Sequence, residues 1–154
     1  MIKEIIKNLI PWMNIEKKIY KKYLKSFNLY KNGKVKHANF IYFKMQKDYN
    51  CAISPQAKIG KNLSMPHPMN IVIGNGVVLG DNATIYQGVT IGQNNEKYPT
   101  IGKNIIVYAG AKIIGDVKIG DNVIVGANAV VTHDVPDNCV VAGIPAKVIK
   151  KKDK

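Results

Sequence analysis

The sequence predicts an all-β parallel β-helix, a fold in which short strands follow one another around a single core. Between Ile53 and Pro136 an aliphatic residue recurs every six residues, as in Ile119-Gly-Asp-Asn-Val-Ile followed by Val125-Gly-Ala-Asn-Ala-Val. The second residue of each hexad is often Gly, and the fifth is small or branched and apolar. A fixed short period sustained over this length indicates a repeat architecture.

Each hexad supplies one short strand and one corner, so three hexads, about eighteen residues, complete a triangular coil. The aliphatic first residue points inward and stacks on its equivalent in the next coil, and the small fifth residue fits near the corner. Gly and Asn supply tight turns with positive φ. An α-helical alternative fails, because no heptad period survives and each Gly would cost a helix about 1 kcal/mol.

The hexad phase is interrupted twice. Two additional residues lie between Met65 and Ile73, and four lie between Ile91 and Ile101. A repeat fold accommodates insertions at its corners, where they project as loops from a rigid scaffold. We therefore expect functional residues on these loops.

The chain before the repeat is predicted to be helical. Apolar residues fall at three- and four-residue spacings from Ile2 to about Leu29, where Pro11 divides two helices and Asn14 can cap the second. Asn32-Gly33 forms a turn before a further helical run, Phe40 to Tyr49. We expect residues 1–50 to form a helical cap, residues 51–138 the β-helix, and residues 139–154 a C-terminal segment with a basic tail.

The composition is strongly basic, with 23 Lys and no Arg against 10 acidic residues, giving a formal net charge of +13. A nucleic-acid partner is not expected, because the repeat offers neither Arg nor aromatic residues alternating along a groove. The basic N-terminal helices provide an alternative role as a peripheral contact with an anionic membrane surface. No signal peptide or membrane span is evident, so we expect a cytoplasmic protein, at the inner membrane surface if these helices bind lipid. Cys51 and Cys139 are too few for a disulfide framework and fit small core positions.

The hexads and two further segments, Met65-Pro-His-Pro-Met-Asn-Ile-Val-Ile-Gly and Ala142-Gly-Ile-Pro-Ala-Lys147, resemble the hexapeptide-repeat acyltransferases. Within that superfamily the chain is most similar to the serine acetyltransferase branch and its relatives that O-acetylate bacterial surface sugars. The resemblance covers about two thirds of the chain. It implies a left-handed β-helix, a homotrimer with active sites between neighbouring prisms, and acetyl-CoA as co-substrate.

The reaction needs a base that takes a proton from an acceptor hydroxyl as the hydroxyl attacks a thioester. His67 is the candidate, because imidazole accepts a proton near neutral pH and its segment matches that of the catalytic histidine in serine acetyltransferases. Flanking prolines hold it stiffly on the first inserted loop. His37 and His133 fit structural or exposed positions, and with so few histidines no metal site is expected.

The chain departs from the serine acetyltransferase pattern beside this histidine. That family has Asp fifteen residues before the histidine and directly before it, where this chain has Ala52 and Pro66. A second family histidine that contacts the amino acid is replaced by Tyr98. These departures favour a sugar hydroxyl over L-serine as the acceptor, with Tyr98 binding the acceptor.

The donor side follows related sugar acetyltransferases, in which the thioester and pantetheine run past small residues on successive coils. The matching positions are Ala109, Ala127 and Thr132, and Lys147 and Lys150 match cationic positions that contact the CoA phosphates. The sequence thus predicts an acetyl-CoA-dependent O-acetyltransferase in surface polysaccharide biosynthesis. Serine O-acetylation for cysteine biosynthesis is the first alternative, and a non-catalytic β-helix scaffold that oligomerises is the second.

Overall fold

The computed structural model describes residues 15–152 of the 154-residue chain. Two helices, α1 (Ile15–Lys31) and α2 (Val35–Tyr49), precede the repeat. The helix expected near the N-terminus and the cap at Asn14 lie outside the described residues. The strands that follow are β1 Ala52–Ile53, β2 Lys58–Ile59, β3 Val72–Ile73, β4 Val78–Leu79, β5 Thr84–Ile85, β6 Thr90–Gly92, β7 Thr100–Ile101, β8 Ile106–Val107, β9 Lys112–Ile114, β10 Lys118–Ile119, β11 Ile124–Val125, β12 Val130–Val131, β13 Cys139–Ala142 and β14 Lys147–Lys151.

The strands form three sheets, which are the faces of a prism of about four turns. Face A has the order β1-β3-β6-β9-β12, face B has β10-β7-β4-β2, and face C has β14-β13-β11-β8-β5. Neighbouring strands are parallel except β13 and β14, which form an antiparallel pair. The chain passes from A to B to C in each turn, and the predicted parallel β-helix with a helical N-terminal segment is confirmed.

Three edges join the faces, and each is named by the faces it separates. The turns of each edge come from successive coils and stack along the prism axis. The A–B edge comprises residues 54–57, 74–77, 93–99, 115–117 and 132–134, the B–C edge 60–63, 80–83, 102–105, 120–123 and 136–138, and the C–A edge 66–70, 86–89, 108–111, 126–129 and 143–146.

The hexad positions occupy the core as expected. The first residues point inward, and all but the partly buried Ile59 are buried along the repeat. The fifth residues are buried as well: Ala57, Leu63, Val77, Ala83, Val89, Ile105, Ala111, Val117, Val123, Ala129 and Val135. Burial of apolar area at about 25 cal/mol per Å² makes this column the main stabilising contribution.

The glycines and asparagines of the hexads have different functions. The left-handed turn falls on the fourth residue, and Asn104 there has φ of 55°. The glycine in second position instead permits close approach between coils, because a Cβ on Gly80 would lie 2.5 Å from the carbonyl oxygen of Gly102. The prediction that both residue types supply positive φ therefore holds for the fourth position. Where Gly stands in the second position, as at Gly80, it is favoured because the next coil lies too close for a Cβ.

Asparagine side chains form a ladder along the B–C edge. Each amide nitrogen donates to the amide oxygen of the next coil at 3.0 Å. The ladder comprises Asn62, Asn82, Asn104, Asn122 and Asn138. These bonds fix the stacking of successive turns where the backbone is left-handed.

Helix α1 packs against the first coil and continues the hydrophobic core. The Tyr23 hydroxyl donates to the carbonyl oxygen of Ala57 at 2.8 Å and accepts from the amide of Ile59 at 3.2 Å. Burial raises the pKa of Tyr23 to about 12. The Tyr20 hydroxyl donates to the Gly60 carbonyl oxygen at 3.1 Å. Neither of the helices within residues 15–152 is long and apolar enough to cross a bilayer.

The solenoid extends beyond the end of the hexad pattern. Strand β13 pairs in parallel with β11, although the repeat is interrupted after Pro136 and the β-helix was expected to end at residue 138. Cys139 in this strand is buried, as is Cys51 before β1, and both are free thiols. The core position predicted for both cysteines is confirmed.

Candidate active site

His67 lies on the C–A edge, on the insertion that follows the first coil. Its side chain is exposed, whereas Met65 just before it and Ile71 just after it are fully buried. The backbone turns tightly there, since the Met69 amide donates to the His67 carbonyl oxygen at 2.8 Å. The imidazole is thus presented to solvent from a short loop anchored at both ends.

The two helices hold this loop from one side. The buried amide of Met65 donates to Glu16 Oε1, from the first turn of α1, at 2.8 Å. The amide of Asn70 donates to the carbonyl oxygen of Asn50, which ends α2 in a left-handed conformation, at 2.9 Å. The Asn50 and Asn70 side chains are also hydrogen-bonded to each other. The helical cap therefore helps to shape the loop that carries His67.

The repeat holds the loop from the other side. The Cys51 thiol donates to the Pro68 carbonyl oxygen at 3.1 Å, and the Gly88 amide of the next coil donates to the Met69 carbonyl oxygen at 2.9 Å. Burial raises the pKa of the Cys51 thiol, which keeps it protonated as a donor. The residues on both sides of His67 are thus held by hydrogen bonds, while its imidazole remains exposed.

Aromatic rings continue from His67 along the prism. The Tyr86 ring lies 6.3 Å from the imidazole, centroid to centroid, and stacks on Tyr108 at 5.2 Å with an interplanar angle of 25°. Beside them, Gln87 Oε1 is buried without a hydrogen-bond partner within the described chain. None of these residues was predicted from the sequence. Both tyrosines stand in the second hexad position, where Gly is usual, and this departure from the pattern marks them out.

Within the described residues no turn of the C–A edge contains an acidic residue, and Glu16 of α1 reaches Met65 just before this edge. Asp48 of α2 forms an ion pair with Lys22. The acids of the repeat lie on the other two edges: Asp81, Asp121 and Asp137 on B–C, and Glu96, Asp116 and Asp134 on A–B. Ala52 and Pro66, at the positions where the serine acetyltransferase pattern has Asp, provide no carboxylate. Within residues 15–152 no hydrogen bond or ion pair reaches the His67 imidazole from another side chain.

Small residues and one lysine line the same edge on later coils. Ala109 is half-buried and Ala127 is exposed, one coil apart. Lys112 Nζ donates to the Gly88 carbonyl oxygen at 2.7 Å and to Thr90 Oγ1 at 3.1 Å. The structure therefore brings both predicted donor-site alanines to the edge that carries His67, together with a cation that sequence analysis missed.

Lys147 and Lys150 lie at the far end of face C, on the exposed strand β14. Lys147 pairs with Ala142 and Lys150 with Val140. Five strand-to-strand steps separate them from the level of Ser64, just before the His67 loop. At about 4.8 Å a step this is roughly 24 Å, a span comparable with an extended pantetheine and pyrophosphate chain.

Two predicted site residues lie on another edge. Tyr98 is half-buried on the A–B edge, where its ring packs so closely that a Cβ on Gly76 would overlap it. Thr132 is exposed on the same edge, and its hydroxyl lies 3.1 Å from Nδ1 of His133. A single chain therefore does not bring Tyr98 or Thr132 to His67.

Family models match the repeat. Residues 98–133 match the family described as bacterial transferase hexapeptide (six repeats), and residues 70–94 match the hexapeptide repeat of succinyl-transferase. These segments coincide with the second to fourth coils of the prism.

Curated relatives and solved structures agree with the family models. A serine acetyltransferase of Staphylococcus epidermidis is 42% identical over 134 residues, covering 84% of this chain and 63% of the relative. The Brucella abortus serine acetyltransferase in complex with coenzyme A has a TM-score of 0.84 at 30% identity, over 87% of this chain and 55% of that one. The Neisseria gonorrhoeae enzyme in complex with serine has a TM-score of 0.85 at 32% identity, over 88% and 57%.

The chain spans less than two thirds of the length of these relatives, 63% for the Staphylococcus epidermidis protein and 48% for a Staphylococcus aureus serine acetyltransferase. The match to the Brucella abortus serine acetyltransferase structure covers 90% of this chain and 57% of that one. Hexads, prism and relatives together assign the chain to the hexapeptide-repeat acyltransferase superfamily, to whose serine acetyltransferase-like branch it belongs.

Proposed function

We propose that the protein is an acetyl-CoA-dependent O-acetyltransferase with His67 as general base. One observation carries the proposal: an exposed imidazole on a loop held from both sides, at the edge that leads along Ala109 and Ala127 to Lys147. That edge offers a base at one end and cations for phosphate at the other, which is the arrangement that a long thioester cofactor needs.

The reaction is a direct transfer in a ternary complex. The unprotonated imidazole nitrogen of His67 takes the proton of the acceptor hydroxyl as its oxygen bonds to the thioester carbonyl carbon. The tetrahedral intermediate then expels the CoA thiolate, which receives the proton from the imidazolium. The ester and free CoA leave, and His67 returns to its starting form.

We take L-serine as the first acceptor, in place of the sugar hydroxyl that the sequence favoured. The support is that the relatives matching most of the chain are named serine acetyltransferases, one of them solved with serine. Lys112, whose ammonium meets only neutral oxygens in the described structure, is a suitable partner for a carboxylate at this edge. The corresponding test is a variant that lacks this ammonium, such as Lys112→Met.

A sugar hydroxyl is the second candidate. Its support is that no turn of the described C–A edge carries a carboxylate, so these turns offer no partner for the ammonium of serine. The Tyr86 ring offers a surface for a pyranose instead. Leaving an ammonium unpaired in a closed site costs several kcal/mol, and each 1.4 kcal/mol is tenfold in rate.

We further propose a homotrimer. His67 and Tyr98 lie on different edges of one prism, so a neighbouring chain is needed to bring a Tyr98 to a His67. Exposed apolar side chains on the prism, Met69 at 58%, Val72 at 40% and Val78 at 37%, suit such contacts. Light scattering should give about three times the 17.0 kDa of one chain, and a monomeric mass at micromolar concentration would refute the trimer.

The test of the activity is release of free thiol from acetyl-CoA in the presence of L-serine or of a panel of pyranosides. His67→Ala should lower transfer by a factor on the order of 10² to 10⁴, as expected for a lost general base. His37→Ala, at an exposed position on α2, is the matched control and should transfer normally. Equal transfer by the wild type and His67→Ala would exclude His67 as the base.

A further inference from the structure

We propose that Glu16 is a positioning residue for His67, acting through the backbone of Met65. Glu16 Oε1 accepts the Met65 amide proton at 2.8 Å, across 49 positions of sequence. The inference rests on the proposed function, in which His67 is the base. It assigns to helix α1 a part in catalysis that neither the hexads nor the His67 segment reveals.

The geometry transmits this contact to the imidazole. Met65 is fully buried and is the last inward-pointing residue before the loop, two positions before His67. Pro66 and Pro68 restrict φ on both sides of the histidine. Because the loop has so little torsional freedom, the orientation of the Met65 peptide sets the direction in which His67 leaves the prism.

The bond is also one that the loop cannot easily replace. A hydrogen bond from an amide to a carboxylate is stronger than one between neutral groups. The Met65 side chain is enclosed in the core, so its amide would have to move outward to find water if Glu16 were removed. That movement would carry the start of the loop, and His67 with it, away from the position set by the first coil.

Helix α1 does not need Glu16 for its own docking. Tyr23 binds Ala57 and Ile59 through its hydroxyl, and Tyr20 binds Gly60 at 3.1 Å. These contacts lie on face B and the two edges beside it, away from the His67 loop. The Glu16 carboxylate instead accepts a hydrogen bond from Met65, which leads into that loop, so its loss can be separated from loss of the helix.

The experiment compares three variants of the full chain. Glu16→Ala removes the acceptor, Glu16→Gln keeps an oxygen for the Met65 amide without the charge, and Tyr20→Phe removes one α1 hydrogen bond elsewhere. The turnover number and both Michaelis constants are measured with acetyl-CoA and whichever of L-serine or the pyranoside panel supports transfer. Hydrogen exchange of peptides covering residues 64–72 is followed in parallel.

Glu16→Ala should lower kcat by about 10-fold to 100-fold with the acetyl-CoA KM nearly unchanged, because small misplacements of a catalytic group carry costs of this size. Its loop amides should exchange faster. Glu16→Gln should retain most of the wild-type kcat and most of the protection of the loop amides. Tyr20→Phe should lower the melting temperature without changing kcat or loop exchange.

Two results would overturn the proposal. One is unchanged loop exchange in Glu16→Ala, which can be observed even if the wild type acetylates none of the acceptors and the proposed function itself fails. The other is a kcat for Glu16→Ala equal to that of Tyr20→Phe while His67→Ala remains inactive, which would leave the base in place and reduce Glu16 to a structural contact.

Discussion

The rings of His67 and Tyr86 lie 6.3 Å apart, tilted by 47°, at the start of an aromatic stack that Tyr108 extends. Tyr86 is half-buried and Tyr108 is 39% exposed. An acceptor that places its hydroxyl on the imidazole comes close to the Tyr86 ring. The size of that contact depends on the acceptor, because an aromatic ring adds stacking energy only for a partner with a broad apolar face.

Replacing Tyr86 therefore distinguishes the two acceptor candidates. Tyr86→Ala should raise the KM for a pyranoside by about two-fold to ten-fold, from a stacking contribution of about 0.5–1.5 kcal/mol. The KM for L-serine should change by less than about two-fold, because a three-carbon amino acid covers little of the ring. Tyr86→Phe keeps the ring and is the control. A large rise in KM for L-serine alone would contradict this role.

Replacing the lysines of β14 should affect the binding of acetyl-CoA alone. Lys147→Ala is expected to raise the KM for acetyl-CoA by about two-fold to five-fold at unchanged kcat, since an exposed ion pair contributes up to about 1 kcal/mol. Added salt should reduce the difference from the wild type. Lys103→Ala, an exposed lysine on the B–C edge, is the matched control. An acetyl-CoA KM equal in Lys147→Ala and wild type would remove the phosphate contact.

The fold could be predicted because the hexad period determines which side chains are buried and which face of the prism each strand joins. Val77 and Ala111 are buried for the same reason, their fifth place in a hexad, and no tertiary information was needed to assign them. The extension by β13 could not be predicted in this way. Its residues pair with β11 through backbone bonds that do not require the hexad pattern.

The site could be predicted only where the chemistry is local in sequence. His67 stands in a distinctive segment, so its position on a projecting loop could be predicted. The role of Glu16 could not be predicted, because its contact with Met65 depends on how α1 packs on the first coil. The repeat carries no information about that packing. The position of Tyr98 on the A–B edge could have been derived by counting hexads from Ile91, since each hexad advances the chain by one edge.

The asparagine ladder should contribute measurably to stability. Asn104 accepts from Asn82 and donates to Asn122, both at 3.0 Å, with φ of 55°. Asn104→Ala loses both bonds and puts a residue in the left-handed turn that tolerates this conformation less well than Asn, for about 2–4 kcal/mol in total. Asn104→Gly loses the bonds without that penalty and should be less destabilised by about 1 kcal/mol.

Urea unfolding of the two Asn104 variants and the wild type measures these differences. The order wild type, Gly, Ala is expected for the free energy of unfolding. Equal stability of the Ala and Gly variants would show that the left-handed conformation is relieved in Asn104→Ala by a local change of the turn.

The buried phenol of Tyr23 makes stability depend on alkaline pH. Burial raises its pKa from 10.0 to about 12, so the folded state resists ionisation that the unfolded state accepts. The stability contributed by the neutral phenol is fully present below pH 10 and is lost as pH rises from about 10 to 12. Tyr23→Phe cannot ionise there, and it also lacks the bonds to Ala57 and Ile59.

Near pH 8 the wild type should therefore be more stable than Tyr23→Phe by about 1–2 kcal/mol, from the lost hydrogen bonds. Above about pH 10 this difference should shrink, because ionisation in the unfolded state penalises only the wild type. The other tyrosines and the lysines are present in both proteins, so the comparison is made at Tyr23. Urea unfolding of both proteins at intervals between about pH 8 and pH 11.5 measures it. A difference that stays constant over that range would mean that the Tyr23 hydroxyl ionises as readily in the folded protein as in the unfolded chain.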